Sequence, residues 1–298
     1  QIATFTTAVA APRIPCTPCP NPITLPGDRP APHPGTRTSS HTICGFLGIR
    51  RQRPDDPRGP SGILPAMDRQ SEYVLRTVEE RGVRFVRLWF TDVLGSLKSF
   101  AITPAELETA LEEGMTFDGS AIEGYSRIQE SDVLAVPDAS TFEIVPWRGD
   151  DDPVARMFCD IQHFDGTPFA GDPRHVLRRN LEAALERGFT FFVGPEMEFY
   201  YFRSSKKPKP IDRAGFFDLT HTDMTSDLRR RTITMLEHMG IPVEYSFHEN
   251  GPGQHEIDLR YTDALTMADN VMTFRLIVKQ IASAGGVHAT FMPKPIED

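Results

Sequence analysis

Phe189-Thr-Phe-Phe-Val-Gly-Pro-Glu-Met-Glu-Phe-Tyr-Tyr-Phe202 is the stretch on which the fold turns. Its aromatic and β-branched residues predict a strand, and Glu196 and Glu198, two apart, project from one face of it. A Glu-x-Glu pair on a strand is ordinarily a solvated face. Here Phe191-Phe-Val193 precedes it and Phe199-Tyr-Tyr-Phe202 follows it. Glutamates in so apolar a run are expected to be partly buried, and a buried carboxylate needs a partner or a metal.

Outward on the C-terminal side, a basic loop at Lys206-Lys-Pro-Lys-Pro210 leads to a helix over about Ser226 to Met239, closed by Gly240 and Pro242. Strands follow at Glu244–Glu249 and Gln254–Tyr261, separated by Asn250-Gly-Pro-Gly253. A hairpin closing symmetrically sets Asn250 opposite His255 and makes Glu249 and Glu256 a cross-strand pair. Like charges about 5 Å apart at Cβ destabilise unless a cation neutralises them. Two such pairs brought together would hold two hard divalent cations on oxygen ligands, a set suited to moving phosphate and carboxylate charge. A helix over about Thr266 to Ser283 and a strand over Val287 to Met292 complete this part.

On the N-terminal side, Asp172-Pro173 caps a helix that Gly188 stops after Arg187. Before it comes a smaller α+β unit. Asp68 caps a helix ending at Gly82, and the run Arg84 to Phe90 turns through Asp92-Val-Leu-Gly95 into a returning strand, Ser96 to Ile102. Thr103-Pro-Ala-Glu106 then reads as a capping box opening a helix that Gly114 ends. The fold class expected is therefore α+β, a small unit over residues 67–166 and a larger one over 167–298.

Residues 1–66 differ from the rest. They hold thirteen of the 26 prolines, three of the four cysteines, seven Arg, no Lys, three Asp and no Glu. Such a segment buries too little apolar surface to offset its ordering entropy and is expected to lie disordered, outside the fold. Its lack of methionine, with Met67 directly before the first helix, suggests upstream sequence that is not native, and an Arg-rich targeting segment is the rival. Cys16-x-x-Cys19 has no second pair at zinc spacing. The remaining chain carries 25 basic and 38 acidic side chains, which argues against nucleic acid as a partner and suits divalent cations. No apolar run approaches the ~18 residues of a membrane span, and Cys159 alone in the body fits a reducing cytoplasm. No P-loop, dinucleotide fingerprint or Gly-x-Ser-x-Gly elbow is present. Any nucleotide must rest on metals.

Phe117-Asp-Gly-Ser-Ala-Ile122, Glu130-Ser-Asp132 and Pro137-Asp-Ala-Ser-Thr141 resemble the N-terminal signature of type I glutamine synthetases. Gly194-Pro-Glu-Met-Glu-Phe199, His248-Glu249, Pro252-Gly-Gln-His-Glu256 and Phe291-Met-Pro-Lys-Pro295 resemble the successive motifs of that family's catalytic domain. The likeness runs in order from Met67 to about Ile296, and the Met67-Asp-Arg-Gln opening and Arg156-Met-Phe-Cys-Asp160 look most similar to actinobacterial members. It implies a β-grasp domain followed by a catalytic α+β domain, assembling as a dodecamer. It implies two Mg2+ or Mn2+ ions per site, with ATP, glutamate and ammonium as substrates. By the same resemblance Glu198, Glu249 and Glu256 hold the metal nearer glutamate and ammonium, and Glu196 serves the metal on the ATP phosphates. Glu244 falls at the nucleotide site and Tyr261 where a ring packs on adenine. Asp118 matches the aspartate that binds and deprotonates ammonium, supplied to the neighbouring subunit's site. ATP would phosphorylate the γ-carboxylate of glutamate, and ammonia would displace the phosphate.

The family continues past its Met-Pro-Lys-Pro strand with a histidine metal ligand, arginines for ATP and glutamate, and a further glutamate. The present chain stops at Asp298. The 298-residue polypeptide is therefore expected to be C-terminally truncated and inactive alone. Two other readings compete: a γ-glutamyl ligase for a polyamine or other amine, which Asp118 disfavours, and a non-catalytic structural paralogue, which retention of the four glutamates disfavours.

Overall fold

A computed structural model describes residues 47–50, 68–123, 132–148, 151–219 and 225–296. Its elements run β1 (Leu47–Arg50), α1 (Arg69–Glu80), β2 (Phe85–Thr91), β3 (Leu97–Ile102), α2 (Leu107–Glu113), β4 (Met115–Asp118) and α3 (Ser120–Glu123). There follow β5 (Asp132–Pro137), β6 (Glu143–Ile144), β7 (Val154–Gln162), α4 (Pro173–Leu185), β8 (Thr190–Val193) and β9 (Glu196–Phe202). The last are α5 (Ser226–His238), β10 (Val243–His248), β11 (Gln254–Leu259), β12 (Thr262–Asp263), α6 (Ala264–Ala284) and β13 (His288–Thr290).

The first sheet has the order β3-β2-β7-β5-β4, with β6 also on β7. β2 and β7 pair in parallel while its other pairs are antiparallel. Val74 and Val78 of α1, with Leu107 and Ala110 around α2, pack with Val86, Leu88, Met157 and Ile161 of the sheet. This is the mixed helix and strand arrangement of a β-grasp unit. Asp68 stands at the N-cap position of α1 but its side chain makes no capping bond, and the Thr103 box does not form either. Pro104–Glu106 is instead a 3-10 turn, and α2 starts at Leu107, whose side chain is fully buried. Burial of that leucine sets the entry angle, so the cap is dispensed with.

The second antiparallel sheet, β10-β11-β9-β13, packs Met197, Phe199, Tyr201, Ile257 and Leu259 against α5 and α6 through Leu236, Phe274, Ile277 and Ile281. The run from Phe189 to Phe202 is not one strand. It breaks at Gly194-Pro195, so that β8 lies in a separate sheet, β1-β8-β12, and β9 in the carboxylate-bearing one. Proline has no N–H for a ladder. Gly194 packs its backbone so close to Tyr261 that an added Cβ would lie 3.3 Å from that residue's Cβ. Within residues 1–66, Leu47–Arg50 pairs antiparallel with Thr190–Val193 of this separate sheet. The reason is local, since an open strand edge offers unpaired N–H and C=O groups to any short extended segment. The rest of that stretch, including Cys16 and Cys19, lies outside the described residues, as does Met67.

A buried guanidinium joins the two main cores. Arg174, at the start of α4 where Asp172 caps the helix, meets Asp138 and Asp160 of the first unit and Asp269 of α6.

Candidate functional site

Register places the acidic residues. Glu198 lies opposite Glu256 across β9 and β11, and Glu196 opposite Asp258. Across β11 and β10, Glu256 faces Phe247 and Asp258 faces Tyr245. Side chains at alternate positions share a face, so Glu196, Glu198, Glu256 and Asp258 emerge together, with Glu249 just beyond the end of β10. The opposite face carries Met197, Phe199 and Ile257 into the core.

Two expectations need correction. Glu249 is not opposite Glu256: its N–H donates to Gln254 O at 2.9 Å, and the hairpin pairs His248 with His255. The turn tightens over Gly251, whose carbonyl accepts from Gln254 N–H at 2.9 Å, with Gly253 at φ +70° and its place for a Cβ only 2.7 Å from Tyr201 O. The slip is two residues, an even number, so Glu249 and Glu256 keep a common face and become diagonal neighbours. Glu196 and Glu198, expected to be partly buried, are exposed on that face, while Glu256 is the buried glutamate, 6% accessible. Strand alternation sends Met197 and Phe199 inward and leaves the glutamates out.

The crowding shows in proton affinities. Partial desolvation by its neighbours pushes Glu198 up against the bond it accepts from Gln254 Nε2 (2.6 Å), with the Glu249 and Asp258 charges adding to it. Glu196 is raised by partial desolvation, then by the Asp258 and Glu198 charges. Glu256 rises furthest, through burial and its contact with Asp258, and Asp258 itself is raised by burial. A divalent cation offsets these costs at once, and an all-oxygen donor set suits Mg2+ or Mn2+. Asp258 Oδ1, buried without a hydrogen-bond partner among the described residues, is the kind of orphaned acceptor such an ion satisfies.

Glu244 and Tyr261 flank this face. Glu244 sits in the irregularity between Val243 and Tyr245 on β10, exposed. Tyr261 follows β11, 68% accessible, edge-on to Phe192 at 6.2 Å. Asp118 is not on this sheet. It ends β4, an edge strand of the first sheet, exposed, and accepts from Ser120 N–H at 2.9 Å. The neighbouring Glu130-Ser131 of its motif lies outside the described residues.

Behind the hairpin, Asp212, His248 and His255 bring ligand atoms within 4.8 Å of one another, a spacing that fits a metal. Their hydrogen bonds point otherwise. Arg229 NH1 stands 2.7 Å from His255 Nδ1 and can only donate, so that ring carries its proton on Nε2. His248 donates from Nδ1 to Glu249 O (2.7 Å) and from Nε2 to Asp212 Oδ1 (3.0 Å). Neither Nε2 then has a lone pair for an ion. Burial opposes the charge on Asp212, but the bonds from His248 and the Gly253 N–H (2.9 Å) hold it down to about 2. The network anchors the turn that presents Glu249. Asp212→Ala is expected to cost ~2–3 kcal/mol, the scale of a buried charge-assisted bond, read as a shifted urea midpoint with an unchanged slope.

Asp258, Gln254 and Asp212 were not picked out from the sequence. Gln254, Glu256 and Asp258 stand at period two, a signal that could have found the first pair. Asp212 reaches the hairpin from 36 residues away in the chain, and no local pattern marks it.

Two family models match: the glutamine synthetase β-grasp domain over residues 82–163 and the glutamine synthetase catalytic domain over residues 170–298. A glutamine synthetase of Mycolicibacterium smegmatis is 58% identical over 238 residues, covering 78% of this chain and 53% of that protein. One from Clostridium saccharobutylicum is 50% identical over 229 residues, 76% of this chain and 52% of its own length. Among solved structures, a GmaS/ADP complex (TM-score 0.68, 28% identity) covers 75% of this chain and 52% of its own. The Plasmodium falciparum glutamine synthetase (TM-score 0.68, 27%) covers 79% and 52%. The chain spans about half the length of the curated relatives it matches. With both domains matched in order along most of the sequence, this chain belongs to the glutamine synthetase family.

Proposed function

We propose that the chain carries the β-grasp domain (67–166) and the start of the catalytic domain (167–298) of a cytoplasmic ATP-dependent glutamate–ammonia ligase. The observation that carries the reading is the set of four glutamates, Glu196, Glu198, Glu249 and Glu256, that three adjacent strands bring to one face. Divalent cations held there supply charge compensation for phosphate and carboxylate oxygens. Glu198, Glu249 and Glu256 would hold the ion that serves glutamate and ammonium, and Glu196 would contribute to the one that serves ATP. Glu244 and the open ring of Tyr261 receive the nucleotide, and the similarly folded GmaS was solved with ADP.

The γ-phosphoryl group of ATP passes to the γ-carboxylate of glutamate, releasing ADP and forming an acyl phosphate. Asp118 takes a proton from ammonium, and the ammonia displaces phosphate to give the amide. By the resemblance of its motif, Asp118, which lies on the other sheet, would serve a neighbouring subunit of an oligomeric ring. Among the described residues no helix is long and apolar enough to cross a membrane.

The metal reading is testable on the 298-residue chain itself. Titration with Mn2+, with free ion followed by electron paramagnetic resonance, is expected to show saturable binding that Glu198→Ala weakens by tenfold or more, roughly the scale known for altered metal shells. Equal binding by the variant sinks it.

A further inference from the structure

Arg174 meets three aspartates, Arg178 reaches Asp160, and Lys98 lies 3.3 Å from Asp92. Arg275 and Lys279, on α6, have no such answer. They stand four residues apart, so they are neighbours on the helix surface, and like charges at that spacing repel. Both lie over the ring of Phe291, the guanidinium 5.7 Å and the ammonium 5.9 Å from its centroid. Arg275 NH1 reaches the Gly95 carbonyl at only 3.5 Å, and neither cation makes an ion pair among the described residues. Partial desolvation, and then the Arg275 charge, lower the proton affinity of Lys279. An anion between the two would relieve the repulsion.

The surroundings say what kind of anion. The two cations border a cleft of about 400 Å3 between α6 and the turn that joins β2 to β3. Its α6 wall is a single stripe, because Met272, Arg275, Leu276 and Lys279 fall at i, i+3, i+4 and i+7. Leu94 and Leu97 form the facing wall. Phe274, Ile277 and Ile281 of α6 pack on the apolar side of the second sheet, so the cleft is separated by that sheet from the carboxylate face. Its volume falls in the range of small-molecule sites, roughly 300–1,000 Å3. A bare inorganic ion would satisfy the cations and leave the leucines wet, and a neutral apolar molecule would do the reverse. We propose that this cleft binds a small organic anion. Its carboxylate or phosphate head lies between Arg275 and Lys279, and its apolar body lies among Leu94, Leu97, Met272 and Leu276. The rival is a solvated cleft with no ligand.

Met272 supplies a local reporter. The 298-residue chain, labelled with carbon-13 in its methionine methyl groups, is titrated at low ionic strength and followed by NMR, with Met272→Leu assigning the signal. The probe is benzoate, which has both an apolar body and a carboxylate. Benzyl alcohol keeps the body without the charge, and inorganic phosphate the charge without the body. Benzoate is expected to shift the Met272 methyl resonance saturably, and neither control to do so at equal concentration. Lys279→Met and Arg275→Gln are each expected to weaken benzoate binding about tenfold or more, the scale of one charge-assisted hydrogen bond. Lys279→Arg is expected to bind as the unaltered chain does, and circular dichroism checks that each variant is folded. No response to benzoate overturns the proposal. An equal response to benzyl alcohol marks a merely apolar cleft, and an equal response to phosphate a bare-anion site; either sinks it. Binding lost as fully in Lys279→Arg as in Lys279→Met would show that charge does not hold the ligand, and the assignment falls.

Discussion

Arg174→Ala is expected to destabilise the protein by about 3–5 kcal/mol, the cost of leaving buried charges without their partner. The guanidinium is 8% accessible and answers three aspartates: Nε and NH2 lie 3.3 and 3.0 Å from Asp269 Oδ2, NH2 lies 2.7 Å from Asp138 Oδ2, and NH1 meets Asp160. Asp138 and Asp160 belong to the first unit and Asp269 to α6, so the loss falls where the two cores meet. Arg178 still reaches Asp160 Oδ2 at 2.8 Å but is too far along α4 to replace the fork at Asp269. Arg174→Lys keeps the charge and loses the geometry, and is expected to fall between. The pH dependence checks the cause. Arg174 helps hold Asp138 down and offsets the burial that raises Asp269, so without it both carboxyls are harder to ionise; the deficit is full at neutral pH and shrinks as pH falls through the carboxylate range and they take up protons. Urea unfolding at pH 7 and pH 4 reads this directly; a deficit of equal size at both would mean lost packing and not lost charge.

Much of this architecture was legible because it is local. Asp172-Pro173 and the glycines after α1, α2 and α4 act within one turn of the chain, and the start of α4 and the ends of these three helices fall near those signals. The period-two spacing of Glu196 and Glu198 likewise predicts their common face. What escaped depends on contacts across the chain. Whether β8 and β9 form one strand is decided by Gly194 against Tyr261. The hairpin register is decided by Asp212 holding Gly253 and His248 from another segment. Asp258 escaped for a different reason: it stands beside Glu256 in a plain alternating pattern, but only the pairing with Glu196 gives its burial a chemical meaning.

The carboxylate face implies a trade between stability and binding, and Glu256→Gln exposes it. In the metal-free chain, burial and the Asp258 contact push Glu256 from the ordinary 4.5 up to about 10. A carboxyl raised on folding favours the native state below its unfolded pKa, and that advantage is lost as pH climbs from there toward the raised value. At pH 7 to 8 the metal-free wild type therefore carries a penalty that a neutral, hydrogen-bonding glutamine does not. Glu256→Gln is expected to be more stable without metal by ~1–2 kcal/mol, as removal of a functional-site strain commonly is. The difference should fade at pH 4, where the wild-type carboxyl is protonated in both states. Divalent cations reverse the order. At Mn2+ a hundredfold above its dissociation constant the wild type gains ~2.7 kcal/mol by mass action, whereas the variant, lacking the charge of the buried glutamate of the face, gains little. Melts at pH 7.5 with and without Mn2+ should therefore cross: variant above wild type in the ion's absence, wild type above variant in its presence. Equal Mn2+ gains in the two proteins would show that Glu256 is not a ligand, and its burial among acids would then need another explanation.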